Sequence, residues 1–212
     1  MKKRLLRLIS VAIITISPVL TGCLSLEKKY PGKQYFLFDI PGQEKKPAPS
    51  MESTILHVQG FRIAPQYEGK GFVYRLEDLS YETDFYNEFF IPPGLLITEE
   101  IRQRLASSGL FQYVVDTSGY GVPTYTLEGV ITALYGDYRQ GGSAKAIMEI
   151  QFFFINTASK DSEIAFQKRY HKEISLPERA PGALVQGWNM ALQLVLTEFE
   201  TDIYAHIMKG NN

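Results

Sequence analysis

The sequence predicts an α+β domain, a mostly antiparallel sheet with two helices packed on one face. Three observations lead there. Residues 125–137, 145–156 and 163–174 are strand-length runs separated by the short turn segments Gln140–Ser143 and Ala158–Asp161, the pattern of an antiparallel meander. Two stretches that follow Pro93 and Pro181 repeat apolar residues at helical spacing instead. The 212 residues are 45% hydrophobic and 13% aromatic, enough for one sizeable core, which excludes a disordered chain.

Taken in order, the first element is a short strand at Tyr35–Asp39. A polar, proline-rich connector follows at Pro41–Ser50, where prolines oppose both helix and central strand. Ser53–Pro65 and Gly71–Glu77 are strands, and Gly69 in the linking Gln66–Lys70 segment suits a hairpin between them. In Tyr81–Phe90 the odd positions Tyr81, Phe85 and Phe89 make an aromatic face turned to the core, and the even ones, Glu82, Asp84, Tyr86, Glu88 and Phe90, an acidic face turned to water. The first helix begins at Pro93, carries Ile97, Ile101 and Leu105 at intervals of four, and stops at Ser107-Ser108-Gly109. Glu99 and Glu100 are read as helix-start acids that suit its dipole. After the strand Phe111–Asp116 and the meander, the second helix runs from Pro181 to about Met208. Its apolar stripe (Leu184, Trp188, Ala191, Val195, Phe199, Ile203) is expected to lie on the face shown by Met148, Ile150, Phe152 and Phe154, with Gln186, Asn189, Gln193, Thr197 and Glu200 polar and outward. The expected order is β-β-β-β-α-β-β-β-β-α, without internal repeats.

Function begins at the amino terminus. Lys2, Lys3, Arg4 and Arg7 precede an apolar run from Leu8 to Leu20, then Leu20-Thr21-Gly22-Cys23. This is a secretory layout. The apolar run, interrupted by Ser17-Pro18, is short of the roughly 20 residues needed to span a bilayer. The small pair before the cysteine resembles the lipobox of bacterial lipoproteins. That resemblance implies cleavage between Gly22 and Cys23, diacylglycerol on the Cys23 sulfur, and anchoring by several acyl chains at about 0.8 kcal/mol per CH₂. Leu24-Ser25 lacks the aspartate that resembles an inner-membrane retention signal, which favours the outer membrane with the domain facing the periplasm. The organisation expected is a signal peptide at 1–22, an acylated tether at 23–34, one domain at 35–208 and a tail at 209–212. The tether's 12 residues, Cys23 to Gln34, reach at most about 40 Å.

Charge and residue inventory exclude other classes. Overall the chain carries 22 Lys+Arg against 23 Asp+Glu, and its four N-terminal cations leave the part from Cys23 onward net negative. That is the wrong sign for nucleic acid, and no nucleic-acid partner is expected. One cysteine rules out an internal disulfide, and three scattered histidines, His57, His171 and His206, have no metal-ligand spacing. Gly141-Gly142-Ser143 is not a nucleophile elbow, and Gly69-Lys70-Gly71 is too short for a phosphate loop. Glu77-Asp78 and Glu99-Glu100 could serve a glycan hydrolase only if they faced each other across a cleft, and adjacent acids usually diverge. No catalytic set, cofactor or metal is therefore expected.

With the strand Tyr35–Asp39, Phe89-Phe90-Ile91-Pro92-Pro93 leading into a helix that closes with Leu105–Phe111, the run Tyr125–Ile131 and a final long helix, the chain resembles the ABC-type transport auxiliary lipoproteins. Members commonly carry an aromatic–small pair where this chain has Phe90-Ile91. The resemblance covers roughly residues 35–207. It implies a non-enzymatic lipoprotein that partners an MCE-domain protein and an inner-membrane ABC transporter in moving phospholipids or other hydrophobic molecules. Two alternatives stay open on the residues alone: an assembly lipoprotein that binds a barrel protein or cell-wall polymer, and an envelope glycan hydrolase. For contact with a partner, whether an MCE-domain protein or a second copy of the chain, the residues singled out are Tyr86 and Phe90, rings set among charges on the outward face of their strand.

Overall fold

The computed structural model describes residues 32–41, 51–116, 121–158 and 162–210. Gly22, Cys23, the signal segment and nearly all of the tether lie outside them, as do 42–50 of the proline-rich connector. Residues Lys33–Asn212 make one compact unit.

The class is α+β, as the sequence predicts, built on a mixed nine-stranded sheet whose long strands pair antiparallel. The strands are β1 (Gln34–Phe36), β2 (Met51–Val58), β3 (Arg62–Ile63), β4 (Gly71–Arg75), β5 (Tyr81–Phe89), β6 (Phe111–Val115), β7 (Tyr125–Asp137), β8 (Lys145–Asn156) and β9 (Glu163–Ser175). The helices are α1 (Pro93–Ser108) and α2 (Pro181–Gly210). The meander β7–β8–β9 forms as expected, and Gly141, at φ 85°, supplies the left-handed residue of the β7–β8 turn.

The organising strand is β7. One edge pairs with β8 along its whole length. The other edge is shared, end to end, by three short parallel strands: β2 at Tyr125–Leu127, β3 at Val130–Ile131 and β4 at Gly136–Asp137. From there the sheet forks. One arm adds β6 beside β2, and the other adds β5 and then β1 beside β4.

That topology corrects the expected hairpin between Ser53–Pro65 and Gly71–Glu77. The first segment breaks at Gln59–Phe61 into β2 and β3, giving five strands before α1 rather than four. Neither half pairs with β4, because a 3₁₀ turn at Pro65–Tyr67 carries the chain along β7 to its next free stretch of edge. The break has a use: Phe61 turns into the core and packs edge-on against Phe152 at 5.4 Å. The early strand is also shorter than expected, ending at Phe36.

Both helices cover one face. α1 opens with Pro93 in its first turn and closes at Gly109, which takes φ 76°. Glu99 and Glu100 are not helix-start acids, since they sit in the seventh and eighth positions and the first turn holds none. Glu99 instead binds Arg102 and Gln103, while Glu100 accepts the Ile40 N–H at 3.3 Å. On α2 the apolar stripe is fully buried, and Phe199 stacks on Phe152 at 4.4 Å. Trp188 packs against Phe72 and Phe89 and donates its indole N–H to the Ile147 carbonyl at 3.2 Å. Gly187 lets the helix approach β8 closely, for a Cβ there would lie 2.6 Å from both the Ala146 Cβ and a Leu176 methyl. On the opposite face of the meander, Lys145, Glu173, His171, Glu149 and Arg169 form a ladder of charged and hydrogen-bonding contacts.

Candidate functional site

The residues singled out for partner contact lie on β5 and just after it, and both are exposed, Tyr86 at 37% and Phe90 at 60%. Their surroundings differ from the expected alternation. Only Phe89 of the odd positions is buried, where it stacks on Phe38 at 5.4 Å and packs against Phe72. Tyr81 is exposed, and Phe85, expected in the core, is 66% exposed.

The physical reason lies at Asp84. Its Oδ1 accepts the backbone N–H groups of Tyr86 at 2.7 Å and Asn87 at 3.0 Å, and its Oδ2 accepts the Tyr74 hydroxyl and the Asn87 amide, each at 2.8 Å. A side chain that captures its own downstream backbone bends the strand and breaks the period of two. The pairing of β4 with β5 shifts register across the same stretch. Burial favours the protonated form of Asp84, but the bonds from Asn87, Tyr74 and Tyr86 outweigh it and hold the carboxyl below the usual aspartate range. The Tyr74 phenol is pushed far above its ordinary value by burial and by this bond.

The strip is therefore less acidic than its sequence reads. Asp84 is turned inward on four donors, and Glu88 is bound by Lys33 at 2.5 Å. The hydrogen bond to Glu88 raises the Lys33 pKa, and the same ammonium lies 4.3 Å above the Phe85 ring. Phe85 meets Tyr86 edge-on at 5.3 Å, and Tyr35 of β1 meets Phe90 edge-on at 6.0 Å. With exposed Leu37 and Ile91, these rings gather along the β1–β5 edge around the Lys33–Glu88 ion pair as an apolar patch. The sequence singles out Tyr86 and Phe90 but not their exposed neighbours Tyr35, Leu37, Phe85 and Ile91. The signal it lacked was the pairing of β1 with β5.

Elsewhere the structure places the other chemistry-bearing residues apart. His57 lies in β2, His171 in β9 between Glu149 and Glu173, and His206 near the end of α2 beside Phe166. Among the described residues no three His, Cys, Asp or Glu side chains are grouped to hold a metal ion. Shallow clefts are found among the described residues. One, of about 200 Å³, is lined by Ile40, Pro41, Glu100, Gln103, Arg104 and Ser107. Another, of about 310 Å³, lies beside the start of α1, between Phe61, Glu68 and Leu95. Burial raises the Glu100 pKa in the first. Neither cleft brings the paired acids 77–78 and 99–100 together. No described helix is long and apolar enough to cross a membrane.

No family model matches the chain, and no curated protein matches it in sequence. Solved structures do share its fold. Protein XCC0632 of Xanthomonas campestris, which carries the family designation DUF330, superposes with a TM-score of 0.72 at 13% identity, over 84% of this chain and 99% of that one. A second, described only as an uncharacterized protein, gives 0.59 at 16% identity over 79% of this chain and 99% of its own. At these identities the likeness is one of fold.

Proposed function

We propose that the chain is an outer-membrane lipoprotein facing the periplasm, acylated at Cys23, that serves as a non-catalytic auxiliary component of an ABC/MCE-type transport system for phospholipids or other hydrophobic molecules. The observation that carries this reading is the Leu20-Thr21-Gly22-Cys23 sequence, placed so close to β1 that the domain works within about 40 Å of its anchor. The segments on which the family resemblance rests support it. Phe89–Pro93 forms the junction from β5 to α1, Leu105–Phe111 the exit from α1 into β6, and Tyr125–Ile131 the start of β7. The first two are turning points of the fold, and the third is the stretch of β7 on which β2 and β3 pair.

Two measurements test the reading. Cys23→Ala leaves an unlipidated, uncleaved precursor, and recovery of that variant as a mature, detergent-requiring membrane protein overturns the lipoprotein assignment. Affinity purification of the wild-type protein from its own envelope recovers an MCE-domain protein. Recovery of a barrel protein or of peptidoglycan in its place overturns the transport assignment in favour of an assembly role.

A further inference from the structure

We propose that the apolar patch formed by Tyr35, Leu37, Phe85, Tyr86, Phe90 and Ile91 docks on the lipid bilayer itself, seating the domain on the membrane that holds its tether. The proposal rests on the anchored reading above for the tether and on the geometry of the patch for the rest.

Position comes first. The chain arriving from Cys23 joins the compact unit at Lys33, and Lys33 contacts both Phe85 and Glu88. Tyr35, two residues on, meets Phe90. The patch therefore adjoins the point where the tether enters, and the surface holding Cys23 lies within the tether's reach of about 40 Å. A short tether gives an effective concentration in the millimolar range. A patch too weak to bind bilayers from solution is sufficient under that condition.

Chemistry comes second. Anionic headgroups repel bare carboxylates, yet the two acids set between these rings are engaged within the protein, Asp84 on four internal donors and Glu88 on Lys33, while the exposed Glu82 and Asp39 stand outside the rings, toward the start of β5 and past Leu37. The exposed large side chains here are phenylalanine, leucine and isoleucine with the two tyrosines, whose amphipathic rings suit the headgroup boundary. Phe85 is the telling residue. A 66% exposed phenylalanine held edge-on to Tyr86 and beneath an ammonium gains nothing for the core, and it stands where insertion needs it.

The test uses the mature chain carrying Tyr86→Trp, on vesicles of phosphatidylethanolamine and phosphatidylglycerol with brominated acyl chains. Wild type, whose one tryptophan is the buried Trp188, sets the baseline. Met190→Trp, on the exposed side of α2, is the control. The emission added at position 86 is quenched and that at 190 is not. Adding Phe85→Ser and Phe90→Ser abolishes the quenching with an unchanged circular dichroism spectrum. Equal quenching at both positions, none at 86, or quenching that survives the serines overturns the proposal. So does an emission shift at 86 that follows protein concentration or an added MCE-domain protein and ignores lipid, which makes the patch a protein interface. Mass spectrometry of the purified protein reads acylation separately. If Cys23 proves unmodified, the lipoprotein reading fails, and the patch is read on the chain beginning at Cys23 with its thiol coupled to a maleimide lipid.

Discussion

Arg104 of α1 grips Glu200 of α2 with two prongs, Nε to Oε1 at 2.7 Å and Nη2 to Oε2 at 3.0 Å, and only 3% of the arginine is exposed. A third contact, Nη2 to the Thr197 hydroxyl at 3.4 Å, fixes the guanidinium further, while Nη1 is buried without a partner among the described residues. Removing one member of such a pair strands a buried charge, whereas replacing both by apolar groups is often neutral. Glu200→Ala is expected to cost about 3 to 5 kcal/mol in urea unfolding, and Arg104→Met with Glu200→Leu to recover most of it. Equal losses in the single and double variants would show that the pair's charge is irrelevant.

Phe199 is the centre of the helix–sheet contact, fully buried and stacked on Phe152. Its truncation to Ala is expected to lower stability by roughly 3 to 5 kcal/mol. An unchanged thermal midpoint would mean that α2 does not rest on this face.

Gly187 sets how near α2 comes to β8. Gly187→Ala drives a methyl against the Ala146 Cβ, which has no rotamer with which to move aside. Overpacking of this kind costs about 1 to 3 kcal/mol, and Ala146→Gly in the same chain is expected to return part of it. The check is the urea midpoint of the single and double variants.

Asp84 makes the bend at the patch sensitive to acid. Its folded pKa lies below the roughly 3.9 of an unfolded aspartate, so the folded chain binds this proton less tightly than the unfolded chain does. The stability it contributes is fully present above the unfolded value and is lost as pH falls through the depressed folded one. Asp84→Asn is expected to flatten the acid limb of a plot of thermal midpoint against pH. Superimposable acid limbs for wild type and variant would remove Asp84 from this role.

Much of the fold was legible in the sequence because its long elements are locally consistent. β7 and β8 have the predicted bounds, their inward residues alternate without a break from Met148 to Phe154, and α1 is framed by Pro93 and Gly109. The parallel arms were not legible. A two-residue strand such as β3 has no periodicity of its own, and its place is decided by free edge on a strand far along the chain. The site was half legible for a related reason. Exposure of Tyr86 and Phe90 follows from their acidic neighbours, but the ejection of Phe85 depends on Asp84 choosing backbone donors over water. The Arg104–Glu200 pair was not legible either: the sequence places Glu200 only in the polar stripe of its helix, because nothing local announces a partner from another helix.

The fork at β7 also sets an order of events. β2 with β6, and β1 with β5 and β4, are pairs the first half of the chain can attempt alone, but each arm has its inner edge bare until residues 125–137 are available. Joining them means closing long loops before any packing rewards the closure, which makes a nascent chain slow to commit and leaves open strand edges in the meantime. A polypeptide emerging amino end first carries those unpaired edges until residues 125–137 follow and cover them.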